Sequence, residues 1–468
     1  QFLTESTLIT VISFPLSLLL IQWVLPYLNR FMGKTLIFNP AAQSDLLGLL
    51  LVLLIFVSIL AGLYPALFLS RINLVKALKG EKVINTSRWN FRSWLVTFQY
   101  AVTISLIFAI LVIEGQMQYI KKSDPGYERE YVLRVDIPRN SMSDTYKNEL
   151  LSHPNVMKAS YSSRIPTGRL ADNWRTRFIK GDSAETINFR LPMISVDPDF
   201  LDTYAIDLIA GENFRENKMT VLDGNTTVPG QYIINESAAK ALGFIDASEI
   251  IGEELIYGST KGPIIGVMED FHFESLHSQI VPMLLMFHDD FRHISLKIGT
   301  KDIPATLAHI EDTYAMFDAE TTVRYHFVDE LFDEQYQKEE RLSTMIKVFA
   351  LIAILIGCLG LIGMVGFIIE TKVKEIGVRK VLGASSQNIW MLIGNQFLVL
   401  AGIAFLLALP ISYWLLNGWL NEFVYRIDIS VLTIIAPVIV TILLTFLVTS
   451  YQTLRATRVN PVAYLKDE

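Results

Sequence analysis

A single cysteine, Cys358, stands in 468 residues, so no intramolecular disulfide can form and no cysteine-ligated metal site is available. Charge is scarce too: 19% of residues are Asp, Glu, Lys or Arg, against about 25% in ordinary soluble domains, while 51% are hydrophobic. That balance excludes a disulfide-stapled scaffold, a disordered chain and a single water-soluble enzyme. A P-loop is missing. Gly33-Lys34-Thr35 imitates its end, but Leu28 stands where the pattern requires glycine, and the triplet closes an apolar stretch instead of joining a strand to a helix. The chain also lacks a Gly-x-Ser-x-Gly elbow and a His-Glu-x-x-His pattern. No basic run precedes the first apolar window and no small-residue cleavage site follows it, so that window does not read as a signal peptide. The first residue is Gln1, not Met, which points to a mature product or a piece of something longer.

What charge there is falls in one block. Residues 114–347 carry 24 Lys/Arg against 38 Asp/Glu, and the remainder carries 16 against 9. An acidic, water-loving segment is therefore joined to an apolar, mildly basic one. The apolar part divides into charge-free windows at 7–28, 46–70, 93–113, 348–369 and 429–454. The long stretch 381–421 has room for an amphipathic helix and a span near 396–416. A helix needs about 20 apolar residues to cross about 30 Å of hydrocarbon, so six spans are expected. In lipid, a lone segment satisfies its backbone only as helix.

Basic residues set the orientation. Arg71, Lys76, Lys79, Lys82, Arg88 and Arg92 follow the second window, Lys372, Lys374, Arg379 and Lys380 the fourth, and Arg455, Arg458 and Lys466 the last. The opposite short loops hold only Arg30, Lys34 and Arg426. Positive-inside logic places both termini in the cytoplasm and the acidic block outside. Within that block, strand-like runs at 131–137, 187–196, 231–235, 263–268, 281–287 and 293–298 mix with helical patterns at 143–152, 236–242 and 304–317, the last with Asp302 as N-cap. Residues 328–347 read as a charged helix running without Pro or Gly into the fourth span, a rigid stalk.

The chain also repeats itself. Gln1-Phe2-Leu3 recurs as Gln396-Phe397-Leu398, and Pro15 matches Pro410 at the same offset. Arg71-Ile72-Asn73-Leu74-Val75-Lys76-Ala77-Leu78-Lys79 answers Arg458-Val459-Asn460-Pro461-Val462-Ala463-Tyr464-Leu465-Lys466, with Arg, Asn, Val, Leu and Lys in register. The second copy has its own preceding span, large domain and span. The first begins mid-unit, so an N-terminal half is expected to be absent from this chain.

Between the fourth and fifth windows runs Lys372-Val373-Lys374-Glu375-Ile376-Gly377-Val378-Arg379-Lys380-Val381-Leu382-Gly383-Ala384, followed by an apolar-faced helix expected from about Ser385, lying along the membrane. Simple positive-inside anchoring accounts for the lysines. It does not require Glu375, nor Gly377 and Gly383, which suit a tight turn or close approach of another backbone.

This run resembles the hallmark of FtsX-like permeases, the MacB-type mechanotransmission ABC transporters. Val196-Asp197-Pro198-Asp199-Phe200-Leu201, Ala210-Gly211-Glu212-Asn213-Phe214, Asn235-Glu236-Ser237-Ala238 and Gly266-Val267-Met268-Glu269-Asp270-Phe271-His272-Phe273 resemble the family's periplasmic core in order. Paired halves resemble the long permeases of Bacteroidota. The resemblance implies a polytopic α-helical membrane protein with a large extracytoplasmic α+β domain of MacB periplasmic-core type. Its domains would be the last two spans of a first FtsX-like half (1–80), a cytoplasmic linker (81–92), a span (93–115), a periplasmic domain (116–345) and an FtsX-like domain with three spans and a coupling helix (346–468). It implies a bacterial inner-membrane permease subunit, not an enzyme, whose partner is a separate dimeric cytoplasmic ATPase. That partner would bind ATP and Mg, no cofactor would lie on this chain, and Lys372, Lys374, Glu375, Gly377, Arg379, Lys380 and Gly383 would form the contact. ATP hydrolysis by that partner would change the shape of the periplasmic domain, for efflux of peptides or drugs or for lipoprotein handling. Other partners would be the bilayer and a periplasmic adaptor or a peptide or lipoprotein substrate, with no nucleic acid. The alternatives are a non-transporting receptor, a regulator of a cell-wall hydrolase, or a membrane-bound periplasmic enzyme.

Three further residue groups have readings of their own. His272, Glu274 and His277 lie close in sequence but are too few for a structural zinc site, and read as a domain-closing loop with hydrogen-bonded polar groups. Lys121-Lys122 with Tyr127 and Tyr131 reads as an interfacial anchor. Glu114 reads as a solvated or snorkelling carboxylate.

Overall fold

The computed structural model describes residues 2–33, 35–38, 44–70, 91–139, 144–170, 176–180, 183–215, 230–258 and 260–458. The linker 81–90, Lys34, the Arg71–Lys79 motif and the part of its counterpart beyond Arg458 lie outside the described residues.

Two compact units share the chain. One comprises 101–354 and 402–444, the other 1–100, 355–401 and 445–468. The first holds the water-facing domain. Its elements are β1 (Val132–Asp136), α4 (Asp144–Leu151), β2 (Val156–Ser162), β3 (Thr176–Lys180), β4 (Ser183–Thr186), β5 (Met193–Val196), α5 (Phe200–Thr203), β6 (Leu208–Gly211), β7 (Tyr232–Asn235), α6 (Glu236–Ala241), β8 (Glu254–Tyr257), β9 (Thr260–Met268), β10 (Leu284–Phe287), β11 (His293–Ile298), α7 (Ile303–Phe317), β12 (Tyr325–Phe327) and α8 (Val328–Glu334). The preceding helices are α1 (Phe2–Met32), α2 (Ser44–Ser70) and α3 (Phe91–Lys122). Those that follow are α9 (Gln337–Thr371), α10 (Val373–Val381), α11 (Ser386–Leu420) and α12 (Val431–Arg458).

The twelve strands form one mixed sheet, β12-β1-β11-β2-β5-β10-β7-β9-β8-β3-β4, with β6 on β9. At one end, β1-α4-β2 and β11-α7-β12 interleave antiparallel in the order fourth, first, third, second, the split β-α-β plan of ferredoxin-like folds. Alternation fixes its faces: Leu133 and Val135 of β1 turn to Tyr146, Leu150, Ile310 and Tyr314 of α4 and α7, while Val132 joins a different cluster. The remaining strands, inserted between β2 and β11, include the parallel pairs β5/β10 and β7/β9. Core covers both faces of β7: Tyr232 and Ile234 pack in one cluster, Ile233 in the other. Every β7 residue is buried and its sequence shows no alternation, as for strands covered on both sides. Buried Asn235 ends β7, caps α6 through Ala238 N–H (3.1 Å), accepts Met283 N–H (2.9 Å) and donates to Val281 O (3.1 Å).

Strands β2, β3, β4, β6, β8 and β12 fall outside the expected runs: the first five carry Lys, Glu or Gly that tertiary neighbours accommodate, and β12 is only three residues long. The stalk also differs from expectation. Residues 328–347 are not one helix: α8 stops at Glu334, and two turn bonds, Gln335 N–H to Phe332 O (3.2 Å) and Tyr336 N–H to Asp333 O (3.0 Å), separate it from α9. Tertiary partners hold the break, since Gln335 Nε2 donates to Thr167 O and the Tyr336 hydroxyl accepts Leu276 N–H (2.9 Å). Tyr127 is no membrane anchor; it lies buried against Tyr204 and Phe271. Glu114 is not simply solvated, because it pairs with Lys347 (2.5 Å) and accepts from Ser343 (3.2 Å).

Among the described residues, five helices are long and apolar enough to cross a membrane: Thr4–Arg30, Arg92–Lys122, Gln337–Thr371, Ser386–Leu420 and Val431–Arg455. The sixth expected span falls on α2, whose described apolar stretch, Gly48–Leu63, is shorter. Ser58 ties α2 to α1, donating to Thr7 Oγ1 (2.8 Å) and accepting at its carbonyl from Ser6 (3.2 Å). Within the same unit, Tyr100 of α3 bonds Thr445 of α12 (2.8 Å), and Trp390 Nε1 of α11 donates to Thr449 (2.9 Å). Polar side chains of this kind link helices where hydrocarbon offers no hydrophobic drive.

Candidate coupling site

The basic run folds as α10, a separate nine-residue helix. The expected membrane-parallel helix after Ser385 does not exist on its own: Ser386–Leu420 is one continuous helix, so the amphipathic part and the span are fused. Local chemistry explains the division. Lys372 alone separates α9 from α10, and its N–H still bonds back to Ile368 O (3.0 Å). Gly383 adopts φ +86° past the C-terminus of α10, with Gly383 N–H on Lys380 O (3.0 Å) and Ala384 N–H on Arg379 O (2.9 Å). That left-handed closure is the one glycine permits at least cost. Ser385 then accepts Asn388 N–H (3.3 Å) and starts α11.

Across α10 the faces diverge. Ile376 is 7% exposed and anchors the helix, whereas Val378 is 51% and Leu382 80% exposed. Those two lie four residues apart, roughly opposite Ile376 at 100° per residue. Glu375 and Arg379 are both exposed and pair at 2.8 Å in the favourable i, i+4 order. A Cβ built on Gly377 would meet nothing within 4 Å, so the backbone there lies open. The site therefore offers an ion pair, two bare apolar side chains and an uncovered backbone patch. Of the expected contacts, Glu375, Gly377, Arg379 and Gly383 sit on or beside this surface. Lys372 and Lys380 are half-buried at its ends, and the Lys374 side chain lies outside the described residues. Sequence reasoning passed over Val378 and Leu382; apolar residues on both faces of a nine-residue helix were the available signal.

His272, Glu274 and His277 do not converge on one point. Glu274 accepts Leu170 N–H (2.7 Å), His272 meets Tyr425 ring to ring (4.7 Å), and His277 packs on Phe423 (4.2 Å) with Ser275 Oγ at 2.7 Å from its Nδ1. Burial of His272 lowers its pKa against the opposing charge of Asp270.

Residues 347–461, which contain α10, match the FtsX-like permease C-terminal family. In that region the chain is similar to FtsX-like permeases. Over 244 residues it is 25% identical to the macrolide export ATP-binding/permease protein MacB of Psychrobacter cryohalolentis, covering 49% of this chain and 34% of that protein. The chain thus spans about a third of the curated MacB relative's length. It is 22% identical over 338 residues to the uncharacterized ABC transporter permease YknZ of Bacillus subtilis, covering 66% of this chain and 78% of YknZ. The periplasmic region of MacB from Actinobacillus actinomycetemcomitans aligns with 44% of this chain at 10% identity, a TM-score of 0.32 and 92% coverage of that region.

Proposed function

We propose that this chain is the membrane subunit of an inner-membrane transporter in which a separate cytoplasmic ATPase, binding ATP and Mg, docks on α10 and drives the outer domain. The observation that carries this reading is the exposed surface of α10, where Glu375–Arg379, Val378, Leu382 and the open backbone at Gly377 stand together inside the FtsX-like domain. Lys372, Lys374, Lys380 and Gly383 complete the docking segment. Closure of the ATPase pushes α10, and α3 and α9 carry the movement outward. The outer domain then acts on a periplasmic cargo, a small molecule as the MacB relative's name indicates, or a peptide or lipoprotein. No step of the chemistry uses a residue of this chain; its work is mechanical.

Retention of the ATPase by the purified chain in mild detergent tests the reading. Glu375→Ala and Gly377→Pro should each weaken retention about tenfold or more, the scale of a central interface residue. Gly377→Ala adds one methyl to the open patch and should also weaken it without unfolding α10. A wild-type chain that retains no ATPase would turn the reading towards a receptor.

A further inference from the structure

The loop joining α11 to α12, residues 421–430, does more than connect two helices. Its Phe423 ring stacks on His277 of the β9–β10 loop at 4.2 Å, and Tyr336 lies nearly parallel to the same imidazole at 5.7 Å. His277 Nε2 is 3.5 Å from Glu339 at the start of α9. Fully buried Gln116 of α3 fixes the loop from below: its Nε2 donates to Tyr425 O and its Oε1 accepts Ile427 N–H, both at 2.9 Å. Leu276, Phe332, Tyr336, Phe423 and Met117 share one buried apolar cluster.

This assembly sits where the stalk is interrupted. A push along α9 cannot cross the Gln335–Tyr336 break as it would cross a continuous rod. Dense packing transmits strain where backbone continuity does not. The β9–β10 loop bridges the gap through Leu276 N–H on Tyr336 and Thr167 N–H on Phe273 O (2.9 Å). Thr167, which also accepts from Gln335, is held at φ +80°, a rare conformation for a β-branched residue.

We propose that the α11–α12 loop is a third mechanical contact between the membrane helices and the outer domain, with Phe423, His277 and Gln116 as its positioning residues. It bridges the α8–α9 break, so the domain rides on three supports and not on two stalk helices alone. The placement of this contact stands on the packing; only its use in coupling rests on the function proposed above.

Amide hydrogen exchange of the full chain in lipid nanodiscs tests it, comparing wild type, Phe423→Ala and Phe423→Tyr. Phe423→Ala should accelerate exchange at Leu276, His277 and the first turn of α9 about tenfold or more, while β7 and β9 keep their protection and Phe423→Tyr keeps wild-type rates. Unchanged rates at Leu276 overturn the proposal. So does acceleration spread evenly over β7 and β9, which marks a merely structural role. With the ATPase and ATP added, wild type should show a nucleotide-dependent change of exchange in the outer domain, and Phe423→Ala should hydrolyse ATP without it. A variant that keeps that change overturns the coupling role. A wild type that never shows it overturns the ATPase reading, and the first comparison still decides the contact.

Discussion

His293 on β11 shows how one side chain links fold to pH. Its Nδ1 lies 3.1 Å from Arg134 Nε, which donates to it, and 3.4 Å from Asp136. Burial and the neighbouring Arg134 charge together outweigh Asp136 and hold the imidazole neutral, with a pKa pushed down to about 4. A folded pKa below the unfolded value means that the unfolded chain binds the proton first. Stability from this site is therefore complete above about pH 6.5, falls as pH drops towards about 4 and levels off below it, by at most about 3 kcal/mol. Exchange protection of β1 and β11 amides, corrected for intrinsic rates, should follow that curve, and His293→Gln should flatten it. In the helix bundle, Thr449→Val leaves the Trp390 indole N–H without its acceptor. Because hydrogen bonds between membrane helices average about 0.6 kcal/mol, the loss should stay within about 0.5–2 kcal/mol in unfolding from bicelles.

At the scale of an element, α10 exists because Gly383 can close it. Gly383→Ala places a Cβ in the left-handed region and should cost about 1 kcal/mol, fraying the junction with α11. Gly377→Ala sits in open helix and should leave that junction intact or stabilise it by about 0.5–1 kcal/mol, so paired thermal scans of the two variants separate turn from docking surface. Much of this was legible. The Glu-Ile-Gly-Val-Arg-Lys run announced the segment, Asp302 announced the start of α7, and charge-free windows announced the long helices. The extent of α11 was not legible, since nothing in its composition marks where an interfacial helix would give way to a span. The break at Gln335–Tyr336 was also hidden, because neither residue opposes helix. Thr167 and Leu276, both more than fifty residues away in the chain, make it.

For the molecule as a whole, the distribution of basic residues predicts opposite sidedness for two surfaces. In a Cys358→Ala background, Ile245→Cys, 98% exposed in the outer domain, should react with an impermeant thiol reagent on intact cells. Leu382→Cys, 80% exposed just past the end of α10, should react only after permeabilisation; reaction from outside would remove the docking reading altogether. Solvent preference is written residue by residue, so the sequence by itself determined which stretches are long apolar helices, which block is water-facing, and which short run stands out as chemically unusual. Pairing across hundreds of residues is not local. Only the tertiary structure decided that β1 and β2 interleave with β11 and β12, that Glu114 finds Lys347, and that Phe423 meets His277. The physical reason is that such contacts are fixed by what each surface packs against, and burial by a distant partner leaves no periodicity in the chain that carries it.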